Sequence, residues 1–316
     1  MPINKPETIF ITGRNNKAMW ARLIQLVTQQ RFEMLAGENF GGKANLTKCA
    51  TILFELDEPA IEELITGHLH PAFETKLDGL AAYDREFTYD FVHEQNAAAE
   101  KYQFVYNYMH RLTDYPLPSV HYWYQGKPIC DCIRNDSYKQ YVTSNGGFDQ
   151  IKWLHDAIRA DGISRRHQMI TWIPIIDDFT TSPPCLQRVW TEVLIPKNEW
   201  YKYPGCIPVT MHIDYRSWDL GRAMPSNLYG LTRMMYRYIY GNLTAENEYI
   251  TEYGAIVQPG TIRKDQFGNL MADGKRVMLN DEGNQIEFKV VKLVGFGDNG
   301  HLYNDSYNIA DRISRC

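Results

Sequence analysis

Apolar residues recur along this chain at two spacings, and the spacing decides the element. Met19, Leu23, Leu26 and Val27 fall three and four apart, which predicts a helix over 19–30. Ile151, Leu154 and Ile158 form the same stripe over 149–160, and Gly162 ends it. Leu228, Leu231, Met235 and Ile239 predict a third helix over 227–240, whose Met and Tyr residues read as core. Residues 97–112 read as a further helix with bulky side chains on one face. Short apolar runs at 9–12, 51–56, 168–176, 189–195 and 209–215 read as strands. The Phe267-Gly268-Asn269 and Ala272-Asp273-Gly274 turns separate short alternating segments up to Val294, a β-meander. No repeat or low-complexity linker interrupts the order, so 1–316 reads as a single α+β domain.

Composition narrows the class. The 316 residues can bury a large core, and at 44% hydrophobic and 22% charged they resemble an ordinary globular chain. No apolar run reaches membrane-spanning length, and the start lacks the features of a secretory signal, so a cytoplasmic protein without membrane attachment is expected. A net charge of -5 disfavours bulk binding to nucleic acid while leaving room for a local basic pocket. Cysteines at 49, 130, 132, 185, 206 and 316 form no paired CxxC motifs, so a zinc site has little support. Except for Cys185, they read as reduced thiols packed as small hydrophobes.

Cys185 differs because of its company. In order along the chain stand Asp149-Gln150, Ser164-Arg165-Arg166, Trp172, Pro183-Pro184-Cys185-Leu186-Gln187, Tyr215-Arg216-Ser217-Trp218-Asp219-Leu220-Gly221 and Pro225-Ser226-Asn227. In order and approximate spacing these resemble the nucleotide half of the thymidylate synthase and pyrimidine hydroxymethylase family. The resemblance covers 138–260; residues 1–130 diverge, and 131–316 would be the nucleotide-binding and catalytic part. It implies a large bent mixed sheet covered by helices, and a homodimer through that sheet with shared active sites.

C5 of a pyrimidine is a poor nucleophile until a thiolate adds at C6, and the resemblance assigns that thiolate to Cys185. Prolines before it pre-set the backbone, and Arg216 is the cation expected to lower its pKa. Taken alone, Cys185 would read as a buried core thiol. Arg165 and Arg166 would grip the substrate phosphate from the partner subunit, with Arg216 and Ser217 binding it from within. Taken alone, the arginine pair would be two solvated residues. Gln187 would also contact the substrate. Asp219 would take part in catalysis and meet the pterin ring of 5,10-methylenetetrahydrofolate, with Gly221 beside it, although an Asp before Leu-Gly can simply stabilise a turn. An Asn at 227 pairs with the O4/N3 edge of uracil, where an Asp would suit cytosine, yet it could equally be a helix cap. Tyr138, Gln140 and Tyr141 faintly resemble a family segment that holds a water network.

Several positions depart from the family. Leu186 stands where a His is usual, and Tyr215 and Trp218 replace a Gln and a Cys. Val257 and Pro259 fall where a His-x-Tyr pair would grip the sugar 3′-OH, and His301-Leu302-Tyr303 lies out of register for that role. Neither Glu94 nor Glu100 is an evident catalytic Glu, and the chain ends without the aliphatic tail that closes over the folate. Water exclusion separates a methyl from a hydroxymethyl product. These departures favour a pyrimidine nucleoside monophosphate 5-hydroxymethylase acting on a dUMP-like substrate. A thymidylate synthase and a catalytically inactive nucleotide-binding paralogue are the alternatives.

Overall fold

The computed structural model describes residues 7–30, 33–36, 45–73, 77–97, 107–116, 123–124, 127–128, 136–160, 162, 164–178, 183–193, 206–240, 249–251, 256–278, 287–303 and 306–315. Glu100, Cys130, Cys132 and Cys316 lie outside them.

A mixed sheet organises the molecule. Its strands are β1 (Thr8–Gly13), β2 (Glu33–Ala36), β3 (Asn45–Asp57), β4 (Gln168–Ile170), β5 (Leu186–Val193), β6 (Cys206–Tyr215), β7 (Trp218–Asp219) and β8 (Glu287–Tyr303). The order is β1-β3-β8-β6-β5-β4, with β2 paired to β3 and β7 to β8. Strands from the divergent N-terminal part and from the motif-bearing part therefore share one sheet. β1/β3, β8/β6 and β7/β8 are parallel, and the other pairs antiparallel.

The pleat sorts the two faces. Ile52, Phe54 and Leu56 of β3, Val189 and Val193 of β5, and Val209, Met211 and Ile213 of β6 are buried. Over them pack α1 (Asn16–Thr28), α2 (Glu58–Ile65) and α7 (Met224–Tyr238), while α3 (Leu77–Arg85) and α6 (Gln150–Ala160) pack on α7. The remaining helices are α4 (Tyr89–Ala97), α5 (Tyr108–Thr113) and α8 (Asn308–Ile313). Eleven of the fifteen residues of α7 are buried, which makes it a central helix. On the opposite face Phe10, Leu53, Phe296, Asp214, Arg188 and Ile170 line up in register across six strands. Phe10 there is 58% exposed. No described helix is long and apolar enough to cross a membrane.

Several boundaries differ from the periodicity. The expected helix over 97–112 starts afresh at α5, because Asn107 caps it by accepting from the backbone N–H of Met109 (2.7 Å) and His110 (3.4 Å). The expected strand 168–176 stops at Ile170, and Pro174 opens a single helical turn, Pro174–Asp177. Buried Asp177 holds that turn, accepting from Ile173 N at 2.6 Å and pairing with Arg111 at 2.8 Å. Of the expected meander, Arg263–Lys264, Leu270–Ala272 and Lys275–Met278 pair consecutively; with Tyr249–Thr251 and Ile256–Val257 they make a separate five-stranded antiparallel sheet, and β8 belongs to the main sheet.

One close approach fixes the centre of the sheet. A Cβ on Gly295 would sit 2.0 Å from Cζ of fully buried Phe54. Gly295→Ala should therefore lower stability by about 1–3 kcal/mol or more through overpacking. Adding Phe54→Leu should recover part of the loss, because neighbouring changes are not additive. Urea midpoints check this, and an unchanged midpoint for Gly295→Ala would contradict the packing.

Candidate active site

β5 and β6 end side by side, and the site is built at their ends. Cys185 immediately precedes β5 and is half-buried, and Arg216 immediately follows β6. The backbone N–H of Arg216 donates to Cys185 O at 3.0 Å. Its side chain folds over the same turn: Nε donates to Pro184 O (3.1 Å) and Nη2 to Pro183 O (2.9 Å). The guanidinium also lies 5.4 Å from the ring centroid of Trp172. Gln187 serves the turn as well, donating to the carbonyls of Pro184 (3.2 Å) and Leu186 (3.4 Å). Burial pushes the Cys185 thiol up, Arg216 pulls it down by less, and Asp219 adds to the rise. The expected lowering by Arg216 is present, but desolvation outweighs it. Leu186 points into the core and is fully buried, so it offers nothing polar to the thiol.

Asp219 sits on β7, one residue beyond Trp218. Its Oδ1 accepts from Gly221 N and Arg222 N, both at 3.0 Å, so the turn-stabilising role is realised. Among the described residues Oδ2 takes no hydrogen bond. Burial raises this carboxyl. Gly221 is required by packing, since a Cβ there would meet Ile309 Cδ1 at 2.8 Å. Trp20 of α1 anchors the same loop, donating from Nε1 to Leu220 O at 2.8 Å. Nothing in the local spacing marked Trp20 for this.

The largest surprise concerns His301 and Tyr303. Register in β8 slips between Gly297 and Gly300, with one more residue on β8 than on β3. That bulge reverses the pleat, so Leu302 enters the core while His301 and Tyr303 share the other face. His301 pairs with Asp219 across β7/β8, and its Nδ1 lies 3.5 Å from Ser217 Oγ and 3.2 Å from Asn299 O. Burial lowers the imidazole pKa, against the pull of Asp219. In sequence register the family's sugar-gripping pair falls at Val257 and Pro259, neither of which can donate from its side chain. Those two positions belong to the separate small sheet and the 3₁₀ turn after it. The glycine-rich run Gly295-Phe-Gly-Asp-Asn-Gly300 was the available sign of a bulge.

Asn227 is not a cap. The N-cap of α7 is Ala223, and Asn227 lies one turn inside, 5% exposed. Trp218 Nε1 donates to Asn227 Oδ1 at 3.1 Å, and Asn227 Nδ2 donates to Tyr83 OH. Gln150 has a structural task, bonding Arg111 O and both backbone groups of Ile170 at 2.8–3.0 Å. Asp149 accepts from Tyr89 OH at 3.0 Å and caps α6 through Lys152 N at 2.9 Å. Tyr138, Gln140 and Tyr141 occupy a 3₁₀ turn beside α6. Glu94 is tied to Arg85 in an exposed ion pair.

Arg165 and Arg166 form an exposed turn before β4. His167 O accepts from Thr191 N at 2.8 Å, so the turn lies level with the far end of β5. Cys185 is then about seven strand residues away, roughly 20 Å at about 3.3 Å per residue. That is beyond the reach of an arginine side chain in the same subunit. Among the described residues neither guanidinium has an ion-pair partner, and no His, Cys, Asp and Glu cluster could hold a metal ion.

No family model matches the chain. A protein named "Putative thymidylate synthase" from Methanosarcina mazei is 30% identical over 118 residues, 37% of this chain and 43% of the relative. One of the same name from Methanosarcina acetivorans is 31% identical over 107 residues, 34% of this chain and 44% of the relative. The match spans less than half the length of either relative. The likeness supports a thymidylate synthase-like family.

The thiol environment has a measurable consequence. Alkylation of Cys185 by iodoacetamide, followed through the mass of its peptide, should rise at higher pH than for free cysteine. Asp219→Asn should move the midpoint down by removing a nearby negative charge, and Arg216→Gln should move it up. A parent midpoint below that of free cysteine would contradict burial as the dominant influence.

Proposed function

We propose that this chain transfers a one-carbon unit to C5 of a pyrimidine nucleoside monophosphate, with Cys185 as nucleophile and a 5-hydroxymethyl product. The observation that carries the reading is that Cys185 before β5, Arg216 and Ser217 after β6, Asp219 on β7 and His301 on β8 stand together, with Asn227 of α7 joined to β7 through Trp218.

Cys185 adds to C6, its electron pair passing toward O4 and making C5 nucleophilic. C5 bonds the incoming carbon; loss of the C5 proton then expels the carrier of that carbon and leaves an exocyclic methylene on the ring, and when water adds to the methylene the electron pair returns through C5 to re-form the C5–C6 double bond and release the thiolate. Arg216 has Nη1 left for a phosphate oxygen once Pro183 and Pro184 are bonded. Ser217 joins it there. His301 and Tyr303, with rings 4.9 Å apart, suit the sugar hydroxyl. Asp219 Oδ2 is an acceptor in a buried setting, which fits the N–H donors of a pterin. 5,10-Methylenetetrahydrofolate, when bound, would supply the one-carbon unit, with the backbone at Gly221 beside it. Gln187 would meet the substrate through Oε1, since its amide N–H groups serve the turn.

Water capture of the nucleotide's exocyclic methylene gives a hydroxymethyl group, and hydride capture gives a methyl group. Leu186, buried in the core where the family usually carries a His, is a departure from the standard synthase pattern and so favours the first outcome. The names of the relatives, together with His301 and Tyr303 at the site, favour thymidylate synthase as the second reading.

The roughly 20 Å between the Arg165-Arg166 turn and Cys185 supports sites shared between two subunits. The half-exposed sheet face, with Phe10, Leu53, Phe296 and Ile170 in one row, supports a homodimer through that face. Neither Cys185→Ala nor Arg165→Ala subunits alone should turn over a nucleotide. After subunit exchange, the mixture should regain about a quarter of parent activity, since half the dimers are mixed and each has one intact site of two. No recovery after verified exchange would contradict shared sites. The product mass from uridine and cytidine monophosphates with the folate separates hydroxymethyl, methyl and no reaction.

A further inference from the structure

We propose that Trp218 and Tyr83 set base specificity by holding the Asn227 amide in one orientation. This rests on the proposed function. An asparagine free to turn over reads either pyrimidine: one orientation complements N3–H and O4 of uracil, the other N3 and the N4 amino group of cytosine. Its two ends are nearly the same shape, so discrimination requires something that tells oxygen from nitrogen.

The indole of Trp218 does so. An indole N–H can only donate, and it donates to Asn227 Oδ1 at 3.1 Å. Turning the amide over would set N–H against N–H and strand a buried donor, because Trp218 is 1% exposed. Trp218 has no room to follow. Its ring stacks on Tyr215 at 4.2 Å with 9° between planes, and Phe54 packs on it at 5.8 Å. At the other end Tyr83, brought in on α3, accepts from Asn227 Nδ2. With both bonds made, the amide keeps one lone pair on Oδ1 and one N–H on Nδ2, in fixed order, for a base edge. Trp218 and Tyr83 are thus positioning residues, acting through Asn227.

The test compares the parent, Trp218→Phe and Tyr83→Phe. Base preference is measured both as the ratio of kcat/KM and as the ratio of equilibrium affinities for uridine and cytidine monophosphates. Trp218→Phe keeps an aromatic ring and removes the N–H; Tyr83→Phe removes only the hydroxyl, so one variant survives if the other fails to fold. The parent should strongly prefer one base. Trp218→Phe should reduce that preference about tenfold or more, mainly by gaining on the disfavoured base, and Tyr83→Phe, which removes a hydroxyl able to donate as well as accept, should reduce it by less. A purely structural role would lower use of both bases alike and leave the ratio unchanged, which would overturn the inference. A parent without base preference would overturn it too. A parent that binds but does not turn over removes the proposed reaction and still reports the ratio through affinity; one that binds neither nucleotide removes both.

Discussion

The bond of the Arg216 guanidinium to the carbonyls of Pro183 and Pro184 is the interaction on which the site depends. Neither proline has an N–H with which to pair into a ladder, so this stretch cannot join the sheet as an ordinary strand. A charged side chain from the neighbouring strand supplies the missing tie. Because Arg216 N also bonds Cys185 O, the thiol, the turn and the cation move as one body. The same guanidinium pulls the thiol pKa down, so the group that fixes its place also moderates its acidity. Desolvation nevertheless outweighs that pull, so the thiol pKa is raised.

Around that turn the site is assembled from buried polar groups, held partly by near neighbours in the chain and partly by elements far away in sequence. Asp219 is held by backbone N–H groups, its loop by Trp20, and Asn227 by Trp218 and Tyr83. An unsatisfied buried group of this kind costs about 1–3 kcal/mol, so the partners specify geometry as well as contribute stability. The β8 bulge adds one more constraint. By reversing the pleat after Gly297 it brings His301 to Asp219, where a regular strand would present the opposite set of side chains.

Local chemistry was legible in the sequence where residues adjacent in the chain act together. The Pro-Pro-Cys turn and the Arg216-Ser217 corner lie side by side, and the helices with clean apolar stripes are present, although α1 and α7 each start a turn earlier than the spacing placed them. What spacing missed was brought together by tertiary contact. Tyr83 and Trp20 carry no motif, and only the packing of α3 on α7 and of α1 on the Asp219 loop gives them their partners. His301 lay out of register because a separate small sheet over 249–278 stands between α7 and β8, and the glycine-linked bulge in β8 then decides which face His301 takes. The reading of Asn227 as a cap failed for a related reason: α7 starts a turn earlier, at Met224, with Pro225 in its first turn. The position of Arg165 and Arg166 became informative only once β4 and β5 were paired, which put them far from the thiol of their own subunit.

Covalent chemistry at Cys185 is the central claim, and trapping it tests that claim most directly. A pyrimidine monophosphate carrying fluorine at C5 cannot lose a proton there, so an adduct formed at C6 should persist once carbon is transferred. Incubation with uridine and cytidine analogues of this kind and 5,10-methylenetetrahydrofolate, followed by peptide mass mapping, should find the nucleotide on the peptide containing Cys185. An adduct on Cys49 or Cys206, or none with either base while both analogues bind, would contradict the account.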